Sequence, residues 1–109
     1  MNAPGVFISV LLTLLSVSMN NEQAVRLAML TLSQSLQLKE TDMVVEKITP
    51  VQWSDTSIGC PQPGMMYAQM ISEGFKIIIK VDGKVYPVHI GAGRAVVCIG
   101  NGKILPENN

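Results

Sequence analysis

Four side chains have the chemistry to build a reactive or metal-binding site: Asp55, Cys60, His89 and Cys98. Carboxylate, thiolate and imidazole groups together make a ligand set that zinc would accept. However, no two of them show the short paired spacing of familiar zinc sites, so we predict no metal site and no cofactor. In an oxidising compartment two cysteines most simply form one disulfide, and we expect Cys60 and Cys98 to be bonded.

The only histidine also raises the question of hydrolysis, because Ser57, His89 and Asp55 are the residue types of a catalytic triad. Ser57 does not lie in a nucleophile elbow, and the chain offers no obvious second acid. A histidine on a strand more often bonds to the backbone of a loop. We therefore predict no catalytic residue and no enzymatic activity, and we expect His89 to anchor the loop between Trp53 and Gly64 to a sheet.

The segment Asp55–Met66 is the strongest candidate for a functional surface. Its two prolines, two glycines and one cysteine would fix its shape, and a rigid loop loses less entropy on binding. The same features would suit a purely structural latch, and the flanking aromatic rings could pack beneath the loop or stack on a ligand. The expected recognition surface comprises Trp53, Asp55, Ser57, Pro61, Pro63, Gly64, Met65, Met66 and Tyr67.

Three methionines, Met65, Met66 and Met70, form a local cluster that would make an adaptable contact surface if it were exposed. We predict a short strand over Met65–Ile71. Alternation along such a strand would turn either Met65 or Met66 inward, which would leave only part of the cluster available.

The elements that must position this loop follow from periodicity and turn chemistry. Apolar residues at steps of three and four predict a helix from Glu22 to Leu36, and β-branched or alternating stretches predict strands. Asp82-Gly83 favours a type I′ hairpin turn, and Pro50 and Pro87 indicate edge strands or bulges. The fold class is therefore α+β, one amphipathic helix packed on a four- to five-stranded antiparallel sheet. Besides Met65–Ile71, the predicted strands are Met43–Trp53, Phe75–Val81, Lys84–Ile90 and Ala95–Ile99.

The first eighteen residues differ in composition from the rest of the chain. Val6–Val17 contains no charge but is too short to span a bilayer, and it has the length of a signal-peptide core. Small residues at Ser16 and Ser18 suit a cleavage site, whereas Met1–Gly5 lacks the usual Lys or Arg; a buried N-terminal element is the alternative. We expect residues 1–18 to be a signal peptide or hydrophobic segment, 19–100 one domain and 101–109 a polar tail. The mature protein would be periplasmic or secreted, without a stable membrane span.

Charge argues against nucleic acid as a partner. Eight basic and eight acidic residues give a net charge of zero in 109 residues, whereas phosphate neutralisation requires a basic surplus. The basic residues are also scattered along the sequence. An unpaired sheet edge could support a dimer.

Several local patterns resemble a family of small bacterial secreted domains and lipoproteins without an assigned function. Residues 53–69, WSDTSIGCPQPGMMYAQ, resemble its pattern W-P-D-x-S-L-G-C-P-x-P-G-M-x-Y-x-Q. Residues 73–77 and 86–89 resemble its P-G-Y-R-I and Y-x-Y-H more weakly. The resemblance implies export and a Cys60–Cys98 bond but no reaction. The departures from the pattern, which affect loop rigidity more than membership, are Ser54, Ile58, Glu73 and Val88.

These observations lead to one expectation of function and three alternatives. The expectation is an exported, non-enzymatic interaction module that recognises an unidentified protein partner through the Cys-Pro-x-Pro-Gly loop. The first alternative is a peptidase inhibitor that presents Met65 or Met66 to a protease cleft. The others are a small hydrolase that uses His89 and Asp55, and a purely structural accessory domain.

Overall fold

The computed structural model describes residues 19–99 and the backbone of residues 103–105. The predictions made for residues 1–18 and for the end of the tail lie outside the described residues.

The helix α1, Asn21–Leu36, begins at a reciprocal cap and ends at a left-handed residue. The Asn20 side chain accepts a hydrogen bond from the Gln23 backbone N–H at 2.9 Å, and the Gln23 side chain accepts one from the Asn20 N–H at 3.0 Å. Gln37 ends the helix with φ of 56°. The predicted helix is therefore confirmed. Its fully buried side chains are Ala24, Ala28 and Leu32, whereas Leu30 is exposed.

Five antiparallel strands follow in chain order, after a short 3-10 turn at Glu40–Asp42. The predicted α+β class, one helix on an antiparallel sheet with one disulfide, is confirmed. The last, three-residue strand extends the sheet into the stretch that sequence analysis assigned to the polar tail. The strands are β1 (Met43–Trp53), β2 (Ser72–Val81), β3 (Lys84–Gly91), β4 (Arg94–Ile99) and β5 (Lys103–Leu105).

The predicted strand over Met65–Ile71 is wrong, and β2 begins at Ser72, three residues before the predicted Phe75. Trp53, at the end of β1, pairs with Ser72, so β2 begins at Ser72 and pairs with β1 along its whole length. Residues 65–71 are left without a neighbouring strand. The backbone of Met65 and Met70 instead bonds within the connection, to the carbonyls of Gln62 and Ala68.

The two prolines occupy different places in the sheet. Pro50 lies on the edge strand β1, as expected for a residue without an N–H. Pro87 does not, because β3 is the central strand. It lies opposite Ile78 of β2, one residue before the pairing of β3 with β4 begins at Val88. A missing donor is tolerated there because the ladder to β4 has not started.

The sheet has two faces with different coverings. One face packs on α1, where Ile77, Ile79, Val88 and Val97 are completely buried. On the other face, the chain between β1 and β2 folds back over the end that carries Trp53, His89 and Cys98. No helix or strand of the described residues covers the remaining part of that second face.

Candidate functional site

The connection between β1 and β2, residues 54–71, is eighteen residues long and contains no strand or helix. We call it the 54–71 loop. Loops of this length without secondary structure are uncommon in small domains and are usually either functional or mobile. The described contacts attach this one to the sheet at several points.

The first attachment is covalent. Cys60 in the loop is bonded to Cys98 on β4 across a sequence separation of 38, with Cα atoms 6.0 Å apart. Both cysteines are buried. The predicted disulfide is therefore confirmed, and it rules out the thiolate ligands of the zinc alternative. Within the part of the chain that the structure describes, no three His, Cys, Asp or Glu side chains are grouped to hold a metal ion.

The second attachment is His89, which is buried on β3. Its Nδ1 lies 2.8 Å from the carbonyl oxygen of Ile58, and because a carbonyl can only accept, Nδ1 carries the proton and donates. This is the position expected of a loop anchor. Burial lowers the pKa of His89, and the positive charge of Lys76 lowers it further, against the opposing effect of the bond to Ile58.

The third attachment is the indole of Trp53, which occupies a slot between three glycines. Its Nε1 donates to the carbonyl of Ile90 at 2.8 Å, and its ring stacks on the His89 imidazole with centroids 5.0 Å apart. A Cβ added at Gly59, Gly74 or Gly91 would lie 2.4 to 2.6 Å from the ring. This geometry favours packing over ligand stacking for Trp53.

Shorter hydrogen bonds fix the shape of the loop itself. Oδ1 of Asp55 accepts from the N–H of Ser57 at 2.9 Å and from its hydroxyl at 2.5 Å, and these bonds lower the pKa of Asp55. The hydroxyl of Tyr67 accepts from the N–H of Gln62 at 2.9 Å.

The two limbs of the loop are also bonded to each other and to the sheet. The N–H of Thr56 donates to the carbonyl of Ala68 at 3.0 Å, and the N–H of Ala68 donates to the Thr56 hydroxyl at 3.0 Å. Arg94 on β4 donates to the Thr56 carbonyl at 2.6 Å.

These contacts bear on the hydrolase alternative. A triad requires the serine hydroxyl to donate to the imidazole and the imidazole to donate to the acid. Here the hydroxyl of Ser57 donates to Asp55, and His89 donates to a backbone carbonyl. Among the described residues no hydrogen bond joins His89 to either of the other two, so the geometry gives hydrolysis no support.

The outer limb of the loop presents apolar side chains to solvent. Met66 is 94% exposed, and Met65, Met70 and Ile71 are 61%, 52% and 68% exposed. The expectation that one of Met65 and Met66 turns inward is wrong, because it depended on the strand that does not form. Pro61, Pro63 and Gly64 are exposed beside them.

The expected site residues therefore divide into two groups. Pro61, Pro63, Gly64, Met65 and Met66 form the exposed surface, whereas Trp53, Asp55, Ser57 and Tyr67 hold the loop in place. Sequence reasoning missed Ile58, which is completely buried beneath the loop. An isolated β-branched side chain within a Gly- and Pro-rich stretch was the available signal. It also missed Arg94 and the glycines of the indole slot, for which the sequence gives no local sign.

A separate cleft of about 800 Å³ lies on the α1 side of the sheet. α1 contributes Leu27 and three polar residues to its lining, and the sheet contributes apolar residues together with Glu73 and Arg94. Neither charged residue was predicted from the sequence as a site residue. No helix in the described part of the chain is long and apolar enough to cross a membrane.

Comparison with known proteins gives one match. A family model described as a domain of unknown function (DUF8738) matches residues 25–99, which is more than half of the chain. The matched range runs from the second turn of α1 to the end of β4 and includes the 54–71 loop. No curated protein and no solved structure matches the chain.

Proposed function

The chain belongs to the family of this domain of unknown function, DUF8738, and from its own geometry we propose that it is an exported, non-enzymatic interaction module. Its recognition surface is the outer limb of the 54–71 loop, and its partner is a protein. The observation that carries the proposal is the exposure of Met65, Met66, Met70 and Ile71. These side chains lie on a loop whose base is attached to the sheet by a disulfide and by hydrogen bonds.

Exposed apolar side chains gathered in one short segment are the first part of the argument. Single exposed apolar residues are normal, but a contiguous group commonly marks a contact surface. Methionine side chains are flexible and polarisable, so they fit apolar partners of varied shape. The four side chains lie within seven residues of the sequence.

Preorganisation is the second part. The disulfide, the His89–Ile58 hydrogen bond and the Trp53 slot hold the base of the loop, so little backbone freedom remains to be lost on association. A mobile loop with the same exposed residues would bind more weakly because ordering it costs free energy.

Export is supported by the cysteines. Disulfides persist in oxidising compartments and are rare in the cytosol, where thiols are kept reduced. The buried Cys60–Cys98 bond therefore favours a periplasmic or secreted protein, in agreement with the expected role of residues 1–18.

An affinity capture with matched baits tests the proposal. The full chain, expressed with export, is immobilised and exposed to native periplasmic and culture-medium extract. A second bait carries Met65→Ser, Met66→Ser and Met70→Ser, and a control bait carries Met19→Ser and Leu30→Ser, which alter exposed apolar residues of the α1 side. Unchanged Trp53 fluorescence shows that each bait is folded. We expect a partner that the wild type and the control retain and the loop variant loses; equal retention by all three would refute the loop as the recognition surface.

A peptidase inhibitor is a second candidate, favoured by the position of Met66. This side chain is almost fully exposed, six residues from the disulfide-bonded Cys60. A fixed loop that presents one apolar side chain can occupy a protease cleft without being cut quickly. Capture of a peptidase in the same experiment, together with its inhibition by the wild type and not by Met66→Asp, would favour this candidate.

A further inference from the structure

Beyond the 54–71 loop, the uncovered part of the same sheet face brings Lys47 together with Lys76 and Lys80, which lie about thirty residues further along the sequence. Lys47 of β1 lies opposite Ile78 of β2, and Lys76 and Lys80 flank Ile78 along β2. Lys76 and Lys80 alternate along β2 with the buried Ile77 and Ile79, so they project from the side of the sheet opposite α1. Lys47 projects from the same side because it is the cross-strand partner of Ile78.

Apolar side chains lie between these cations. Val44 and Val85 lie opposite Lys80 on its two sides and are 60% and 51% exposed, and Ile78 is half-buried. We call the set Val44, Lys47, Lys76, Ile78, Lys80 and Val85 the lysine face. Its three ammonium groups form a triangle around Ile78, with Val44 and Val85 beside Lys80.

Within residues 19–99, no acidic side chain forms an ion pair with a lysine of the lysine face. The one ion pair among the described residues is Arg26–Glu22 on α1. β3 contains no acidic residue, and the register places Glu73 of β2 on the α1 side. Glu46, at the bulge of β1, is the remaining acid of these strands. A chain with zero net charge therefore carries a locally basic surface.

We propose that the lysine face docks on a membrane surface of anionic phospholipid headgroups. The cleft described above lies on the α1 side and contributes nothing to this face. A bilayer surface presents phosphate groups over a plane and accepts apolar side chains between them without a fixed pattern. The base of the 54–71 loop packs on this same side of the sheet, through the Cys60–Cys98 bond and the bond of Ile58 to His89.

The size of the effect follows from the charge. Each lysine near an anionic leaflet increases affinity about fivefold, so three together contribute about 100-fold. Salt weakens this attraction because the screening length falls from about 10 Å at 0.1 M to about 4 Å at 0.5 M.

Vesicle binding tests the proposal without any protein partner, so its failure would leave the proposed function of the loop untouched. The full chain is sedimented with phosphatidylcholine vesicles, either pure or with about one third phosphatidylglycerol. One variant carries Lys47→Gln, Lys76→Gln and Lys80→Gln. The control carries Arg26→Gln, Lys39→Gln and Lys84→Gln, which remove the same charge from α1, from the connection after it and from the start of β3.

We expect the wild type and the control to bind the anionic vesicles about 100-fold more tightly than the lysine-face variant, and to release them at high salt. Equal binding by the variant and the wild type would overturn the proposal. Equal binding to neutral and anionic vesicles would also overturn the proposal, because the membrane binding would then depend on apolar side chains and not on the lysines. Absence of vesicle binding would also overturn it, and loss of a captured protein on the same three substitutions would then assign the face to an acidic protein.

Discussion

Replacement of Gly91 by alanine should displace the indole of Trp53 from its slot. An alanine Cβ at position 91 would lie 2.4 Å from Cδ1 and 2.7 Å from Nε1 of the ring, whereas ordinary contacts begin near 3.4 Å. The ring must therefore withdraw by about 1 Å. The backbone of Gly91 is in an extended strand, without positive φ, so the contact with the indole and not backbone strain determines the effect.

The expected cost combines three losses. Overpacking costs about 1–3 kcal/mol, a weakened Nε1 bond to Ile90 about 1 kcal/mol, and a disturbed stack on His89 about 0.5–1.5 kcal/mol. These terms overlap because one displacement causes all of them. We expect the free energy of unfolding to fall by about 2–4 kcal/mol, a large share of the stability of a small domain.

Urea denaturation followed by fluorescence measures this directly, since Trp53 is the single tryptophan. The folded-state emission of Gly91→Ala should shift because the indole has moved. Gly93→Ala is the control in the adjacent turn: its Cβ meets nothing within 4 Å, so only its φ of 77° is strained, and it should cost about 1 kcal/mol without a spectral shift.

A double-mutant cycle decides whether the indole is the cause. In a Trp53→Leu background, followed by circular dichroism, Gly91→Ala should cost under about 1 kcal/mol because the colliding ring is gone. If Gly91→Ala destabilises both backgrounds equally, the reasoning from the slot is wrong.

Two further predictions concern the anchors of the loop. Replacing Cys60 and Cys98 by serine should lower the free energy of unfolding by about 4 kcal/mol, because the disulfide closes a loop of 38 residues and so reduces the entropy of the unfolded chain. Reductant should lower the urea midpoint of the wild type but not that of this variant. An equal shift in both proteins would contradict the assignment of the loss to the disulfide. Because burial lowers the pKa of His89 in the folded state, the unfolded chain binds the proton more readily. The contribution of His89 to the free energy of unfolding should be fully present above about pH 6.5 and should be lost as pH falls through its lowered folded-state pKa. His89→Gln should remove this pH dependence of the free energy of unfolding. A pH dependence that persists in the variant would assign it to another group.

Part of the fold was predictable because its signals are local. The cap at Asn20 and the apolar spacing determine α1 within one stretch of chain, and Asp82-Gly83 takes positive φ at both residues, as a type I′ turn requires. The alternation of β2 is likewise contained in a few residues. Two cysteines allow one intramolecular pairing, so the disulfide needed no tertiary information.

The errors arose where a local signal competed with pairing. Met65–Ile71 has the composition of a strand, but β1 has one free side for a partner in this fold, and residues 72–81 occupy it. The exposure of Met65 and Met66 follows from that competition. Pro87 indicates an edge strand or a bulge from the sequence, because the sequence does not show where the β3–β4 ladder begins.

The sequence by itself determined the α+β class, the position of α1 to within one residue, the bounds of β1, the hairpin turn and the bonded cysteines. Tertiary structure alone decided that Trp53 lies between glycines from the loop, β2 and β3, and that Lys47 joins Lys76 and Lys80 on one face. The physical reason is strand register. Caps, turns and alternation depend on neighbours a few residues away, whereas register brings together residues separated by some thirty positions, and it is determined by burial over the whole sheet.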